Sequence, residues 1–225
     1  SSIGTQAEAN TAGTLTPTDY ANAGVTGVSA ANVVAINSAL NTGTPGDSAA
    51  QSGVSGTEAD TPAEIQAIVN SYNKILAAAD GVDANTSGPA VPSLGDYTAM
   101  GVSGLTTDSA KLLSDVIDSL STGAVDTVGE IQTLADAAQT TVAYTGSNTA
   151  PSATQLNALT GGTGVNADNL AAVQAALAAA NNDGTPVTQA ELQAIISGIN
   201  SAAADIAAFA GANTTGLASA TGTAP

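Results

Sequence analysis

One short pattern constrains what this chain can fold into. Thr61-Pro62-Ala63-Glu64-Ile65-Gln66 recurs as Thr127-Val128-Gly129-Glu130-Ile131-Gln132 and again as Thr188-Gln189-Ala190-Glu191-Leu192-Gln193. Each copy is a capping box. The Thr hydroxyl accepts from a free N–H of the first helical turn, and the Glu carboxylate reaches back to the Thr N–H. Pro62 stands at the first helical position, where its missing donor costs nothing. Behind each box the apolar residues fall at helical spacing: Ile65, Ile68, Val69, Tyr72, Ile75 and Leu76, then Ile131, Leu134, Ala135, Ala138 and Val142, then Leu192, Ile195, Ile196, Ile199, Ala203 and Ile206. One buried stripe per helix is the expectation. Gly81, Gly146 and Gly211 follow the stripes and read as helix stops.

Upstream of each box the same order repeats. A short helix a is expected behind Thr16, Ser93 and Ser152, with Asp19, Asp96 and Gln155 completing the cap. A corner follows: Gly24-Val25-Thr26-Gly27-Val28, Gly101-Val102-Ser103-Gly104-Leu105 and Gly161-Gly162-Thr163-Gly164-Val165. These glycines suit left-handed turns between helices. They do not suit a phosphate loop, since no Lys follows and no strand precedes. Helix b is expected to be capped by Ser29, Thr106 and Asn166. Its apolar positions agree in all three copies: Val28, Val33, Ile36 and Leu40; Leu105, Ala110, Leu113 and Ile117; Val165, Leu170, Val173 and Leu177.

The expected fold is therefore all-α: three tandem three-helix repeat units, each with a short helix a and helices b and c, set in an array or extended rod. Residues 1–14 read as a linker or the tail of a preceding unit. The units are 15–91, 92–150 and 151–225, the last with a C-terminal linker. The b-to-c connection is longest at 41–60, a surface loop that holds a turn of helix around 47–51. The closing Ala224-Pro225 matches Val91-Pro92 and Ala150-Pro151 and reads as the start of a fourth unit. A lone unit buries only about 60% of its unfolded surface, so units are expected to pack on one another, helix c against the next helix a.

Composition narrows the chemistry. Lys74 and Lys111 are the only cations against 19 acidic residues, for a formal charge of −17. Phosphate backbones would find nothing to neutralise them, so nucleic acid is excluded as a partner. Anionic membrane surfaces are excluded on the same ground. No stretch of about 18 apolar residues is read here, so no membrane insertion is expected. Ser1-Ser2-Ile3-Gly4 has neither the basic nor the apolar region of a signal peptide. The aromatic residues are Tyr20, Tyr72, Tyr97, Tyr144 and Phe209, so the core is expected to be aliphatic.

The sequence has no His and no Cys. That removes thiol and zinc sites and His-based triads. The carboxylate pairs Asp115/Asp118 and Glu58/Asp60 do not recur between copies and read as solvated faces. No catalytic residue and no cofactor are expected. Calcium is the alternative, at Asp80, Asp83 and Asn85, whose spacing departs from the twelve-residue calcium loop. The sequons at Asn85 and Asn213 read as chance in a Thr- and Asn-rich chain.

Asp19-Tyr20 through Gly24-Val25-Thr26-Gly27-Val28, the Asn32-Val33 and Asn169-Leu170 pairs, and Glu64-Ile65-Gln66 with Tyr72-Asn73-Lys74-Ile75-Leu76 together resemble the tandem α-helical repeats of very large secreted bacterial adhesin-like surface proteins. The resemblance covers most of the chain. The third copy departs from it, with Leu156 in place of Tyr and an altered corner. It implies an extracellular or cell-surface location and a stalk or spacer role that holds a binding tip away from the cell. The partners expected are neighbouring units or identical subunits. A self-assembling filament or layer, or a carbohydrate- or protein-binding module using the 41–60 loop, are the other expectations.

Overall fold

The computed structural model describes residue 3 and residues 15–40, 59–82 and 90–220, the side chains of 212–220 excepted. The long loop, Asp83, Asn85 and both sequons' side chains lie outside the described residues. Within them the protein is all-helical: α1 Pro17–Asn22, α2 Val33–Ala39, α3 Pro62–Ala78, α4 Leu94–Ala99, α5 Thr107–Asp118, α6 Val128–Ala143, α7 Ala153–Thr160, α8 Leu170–Asn181 and α9 Gln189–Ala220. A 3-10 turn at Thr122–Ala124 joins α5 to α6. The one extended contact described is an isolated antiparallel bridge between Asp80 and Ser121.

The order short helix, helix, longer helix thus occurs three times. The boxes at Thr61/Glu64, Thr127/Glu130 and Thr188/Glu191 form in both directions: Glu64 N–H donates to Thr61 Oγ1 at 3.3 Å and Thr61 N–H to Glu64 Oε2 at 3.0 Å, with matching bonds at the other two. Ser152 and Gln155 do the same. At Thr16 and Ser93 the carboxylates of Asp19 and Asp96 accept from the cap N–H and hydroxyl. Glu64, Glu130 and Glu191 accept from their cap hydroxyls in the same way.

Three expectations are corrected. Ser29 and Asn166 do not cap α-helices directly. Each starts a turn, and the helices begin after Asn32 and Asn169. Thr106 does cap α5, accepting from Ser109 N–H. Gly211 does not stop α9, which runs on to Ala220. The Ala-rich sequence around it has high helix propensity. Last, α9 over Gln189–Gly211 is long and apolar enough to cross a membrane by length and composition, with 6% of that stretch buried. The sequence reading missed it because its apolarity comes from many alanines instead of a run of large side chains.

The short helices end alike. Val25 N–H donates to Tyr20 O and Gly24 N–H to Ala21 O, with Gly24 at φ +79; Val102, Tyr97, Gly101 and Thr98 repeat the arrangement, with Gly101 at φ +80. This is the Schellman stop, and the buried Val25 and Val102 supply its apolar anchor. The third copy has Gly162 at the anchor position.

Among the described residues the buried side chains, from Ile3 to Ile196, form one hydrophobic cluster. Helix α3 packs on α4 and α5, and α6 packs on α7 and α8, while α2 reaches α6 and α5 reaches α9. Specific bonds tie the same seams. Tyr72 Oη donates to Val125 O at 3.1 Å. Val128 N–H donates to Ser38 Oγ at 2.9 Å. Gly81 N–H donates to Leu120 O at 2.9 Å. Across the later seam Asn181 Nδ2 donates to Thr141 O and Tyr144 O, both at 2.8 Å. Gln189 Nε2 donates across it to Ser119 Oγ at 3.1 Å, and within its own stretch to Leu159 O at 2.9 Å.

One atom in this seam is poorly served. Thr141 is fully buried, and its Oγ1 has no hydrogen-bond partner. A buried hydroxyl without a partner costs free energy that a methyl of similar shape does not. Thr141→Val is therefore expected to raise stability by about 1 kcal/mol, read as a higher urea midpoint at unchanged slope. A lower midpoint would show that the hydroxyl is bonded.

Candidate functional site

The most elaborated polar geometry lies where the corner loop meets helices b and c. Asn32 and Asn73 converge on one carbonyl. Both side-chain amides donate to Gly27 O, at 2.8 and 2.9 Å, and Asn32 Nδ2 also donates to Asn73 Oδ1 at 2.6 Å. Asn32 Oδ1 accepts from Ser29 N–H at 2.7 Å. The third copy builds the same clamp from Asn169 and Asn200 on Gly164 O, at 2.7 and 3.0 Å, with 2.6 Å between the two side chains. The second copy uses different residues at the same places. Ser109 Oγ donates to Gln139 Oε1 at 2.7 Å, and Thr106 N–H donates to both side-chain oxygens. Ser is shorter than Asn and Gln longer by one methylene, so the gap is spanned either way. The clamp also explains Gly27: φ is +83, and a Cβ there would stand 3.1 Å from Asn73 Nδ2.

Two further sets of bonds follow the same logic. Gln66 reads the corner backbone in both directions, accepting from Thr26 N–H at 2.8 Å and donating to Thr26 O at 3.0 Å. Gln132 does so with Ser103. In the third copy Gln193 is exposed, and Asn157 of α7 takes the corner instead, through Val165 N–H at 2.9 Å and Val165 O at 2.8 Å. The carbonyl before each short helix is held from helix b. Asn37 donates to Leu15 O, Ser114 to Pro92 O and Gln174 to Pro151 O. Tyr20 and Tyr97 bond Asn37 and Ser114. Where Leu156 replaces Tyr, the longer Gln174 reaches its carbonyl unaided.

The caps Thr16, Ser93, Ser152, Thr106, Thr61, Thr127 and Thr188 are all at helix starts, and Thr188 also lines a groove with Lys111 and Asp115. Asp80 is spent on a turn, its Oδ1 accepting from Val82 N–H at 2.8 Å. Among the described residues no three acidic side chains converge. The reading of Asp115 and Asp118 as a solvated face is corrected: Asp118 is 3% exposed and Asp115 half-buried, both on the packed side of α5. Two shallow grooves lie at seams. One, of about 220 Å³, is lined by Asp108, Lys111, Leu112, Asp115, Pro186, Val187 and Thr188. The other, of about 290 Å³, is lined by Leu120, Ala124, Glu130, Thr133, Leu134 and Ala158. The Lys111–Asp108 pair beside the first is long at 3.5 Å and exposed, a geometry worth little.

Electrostatics follow the caps. The Thr16 hydroxyl, then its N–H, holds the Asp19 carboxyl below its usual value, and Thr61 does the same to Glu64. Asp60, sharing a hydrogen bond with Glu64, is pushed up. Burial, then Glu130, pushes Asp126 up. At Asp96 burial pushes the carboxyl up, but Lys74 at 2.7 Å, the Ser93 hydroxyl and the Ser93 N–H outweigh it and hold it down.

Comparison with family models, with curated proteins and with solved structures finds no match for this chain.

The clamp makes a direct forecast. Gln139→Asn leaves the shortened amide out of reach of Ser109, and Ser109→Asn overfills a fully buried position. Each is expected to cost about 1 kcal/mol. The double variant S109N/Q139N recreates the Asn–Asn clamp and should cost less than either alone. A double-mutant cycle in urea reads the coupling, and strict additivity would contradict it. Asp96 makes a second. A carboxyl held below its unfolded value lends stability that is present above that value and lost as pH falls through the folded one. Asp96→Asn is expected to lower stability near neutrality by about 1 kcal/mol and to flatten its decline from about pH 5 to 2. An unchanged pH slope would show that Asp96 does not carry it.

Proposed function

We propose that this chain is a non-catalytic structural segment of an extracellular bacterial surface protein: three tandem three-helix units, at 15–91, 92–150 and 151–225, whose role is to set a distance. The observation that carries this reading is the recurrence of one corner clamp with compensating side chains. Asn32/Asn73, Ser109/Gln139 and Asn169/Asn200 each bond one another at the same places between helices b and c, and Asn37, Ser114 and Gln174 hold the carbonyl before each short helix. Compensation of this kind preserves the shape of a unit while its residues change. What is kept alike from copy to copy is geometry, as a spacer requires.

The physical basis of the role is additive. In a repeat array each unit contacts only its neighbours, so length is added at constant local structure. The Thr-, Asn- and Ser-rich surface with scant positive charge resists nonspecific adhesion to anionic surfaces.

Small-angle X-ray scattering at low concentration tests this. A compact body of this length has a radius of gyration of roughly 17 Å. The spacer reading expects a larger value with a rod-like profile. It also expects a further fixed increase, at unchanged helicity per residue, when 92–150 is duplicated in tandem. A compact value, or a duplicated chain that loses helicity, would overturn it.

A further inference from the structure

The three long helices differ in how much of one face is covered. Tyr72 and Ile75 of α3 and Ala138 and Thr141 of α6 are each 0% exposed. They occupy matching positions behind their capping boxes, and the helices that cover them come from the next stretch of chain: α4 and α5 over α3, α7 and α8 over α6. On α9 the matching positions are Ile199, which is half-buried, and Ala202, which is exposed. Farther along the helix Ile206 is 70% and Phe209 76% exposed. Helix α8 tells the same story. Ala35 of α2 and Leu112 of α5 are 4% and 1% exposed, whereas Ala172 at the same position is open to solvent.

The opposite end of the molecule shows the complementary gap. Val128 and Gln189, the first residues of α6 and α9, are buried at 0% and 5% against the preceding helix b; Pro62, the first residue of α3, is exposed. Met100 and Leu159, at the ends of α4 and α7, are fully buried; Ala23, at the end of α1, is only half-buried.

From this continuity with the two internal seams, and resting on the repeat reading above, we infer that the open α8–α9 face is a docking surface for a second copy of this chain, which seats its α1 end and the start of its α3 there. The contact is head-to-tail. Its two halves differ, so it propagates instead of closing on itself as a two-fold dimer. The occupant is chosen by shape: the internal seams show what this face accepts, a short helix with an apolar end and a following helix b. Charge opposes it. Each copy carries −17, and repulsion between like copies weakens as salt shortens the screening length. Association is therefore expected to strengthen with ionic strength, the reverse of a charge-driven contact. Apart from Asp205, residues 192–211 of α9 carry no charge, so the contact itself desolvates few ions.

Sedimentation velocity and light scattering from about 10 µM to about 1 mM, at low and high salt, read the prediction. The apparent mass should rise twofold or more above the 21.4 kDa chain, further at high salt. Ile206→Asp with Phe209→Asp blocks the tail; Ala23→Glu blocks the head. Each variant alone should stay monomeric with wild-type helicity, and an equimolar mixture should form a one-to-one complex and nothing larger. The mixture keeps the inference falsifiable, since a misfolded variant cannot complement. A wild-type chain monomeric throughout, a dimer that goes no further, or partition into phosphatidylcholine vesicles in place of self-association would each overturn it. The solution scattering of the tail-blocked monomer still reports on the spacer reading, so the two can fail separately.

Discussion

Two of the three corners hang on how one backbone carbonyl is satisfied. At Gly27 and Gly164 the C=O accepts from an Asn of helix b and an Asn of helix c. Left unbonded there it would cost one to a few kcal/mol, enough to splay the two helices. The paired amides of Asn32 and Asn73 remove that cost and fix the angle at the same time. Because the angle is fixed, the apolar stripes of α2 and α3 face the same way, and one continuous face is presented to α4, α5 and α6. Specificity of orientation here comes from polar atoms; the aliphatic core supplies the drive but few directions. The bonds at the corners supply those directions.

The seams between successive stretches use a different device. Side chains from one stretch reach backbone atoms of the neighbouring one: Tyr72 to Val125, Ser38 to Val128, Asn181 to Thr141 and Tyr144. A side chain that bonds a backbone atom asks nothing of the partner's residue type. The seams can therefore persist while the facing sequence drifts, as the lack of residue identity at these positions shows. Two contacts join side chain to side chain: Gln189 Nε2 donates to Ser119 Oγ across the second seam, and Lys74 pairs with Asp96 across the first. The ion pair draws Asp96, already part of the Ser93 cap, into a second task.

Much of the fold was legible before any coordinates. The capping boxes located α3, α6 and α9 to the residue, because Thr and Glu three apart have one common geometric use. The glycine corners were legible for the same reason. The clamp was not. Asn32 and Asn73 lie far apart in sequence, and their counterparts Ser109 and Gln139 share neither identity nor size. Only aligning the three copies and noticing that a short side chain at one position accompanies a long one at another would have exposed it. The starts of α2 and α8 were misplaced because Ser29 and Asn166 look like caps and do bond the local backbone, while a turn intervenes before the helix. The end of α9 was misplaced because Gly211 is a stop only when a turn is stabilised by packing. The burial of Asp118 was missed because an unrepeated acidic residue was taken to face water.

The placement of the two lysines has a consequence for proteolysis. Proteases that cut beside basic residues are offered Lys74 and Lys111 and no other site. Both lie inside helices, and Lys74 is further held by its carboxylate partner across the first seam. Cleavage needs an extended backbone, so either site is presented only when its helix opens, and opening α3 means breaking the corner clamp as well. Resistance to this class of protease is thus written into the scarcity of cations together with the helices that enclose the few that remain.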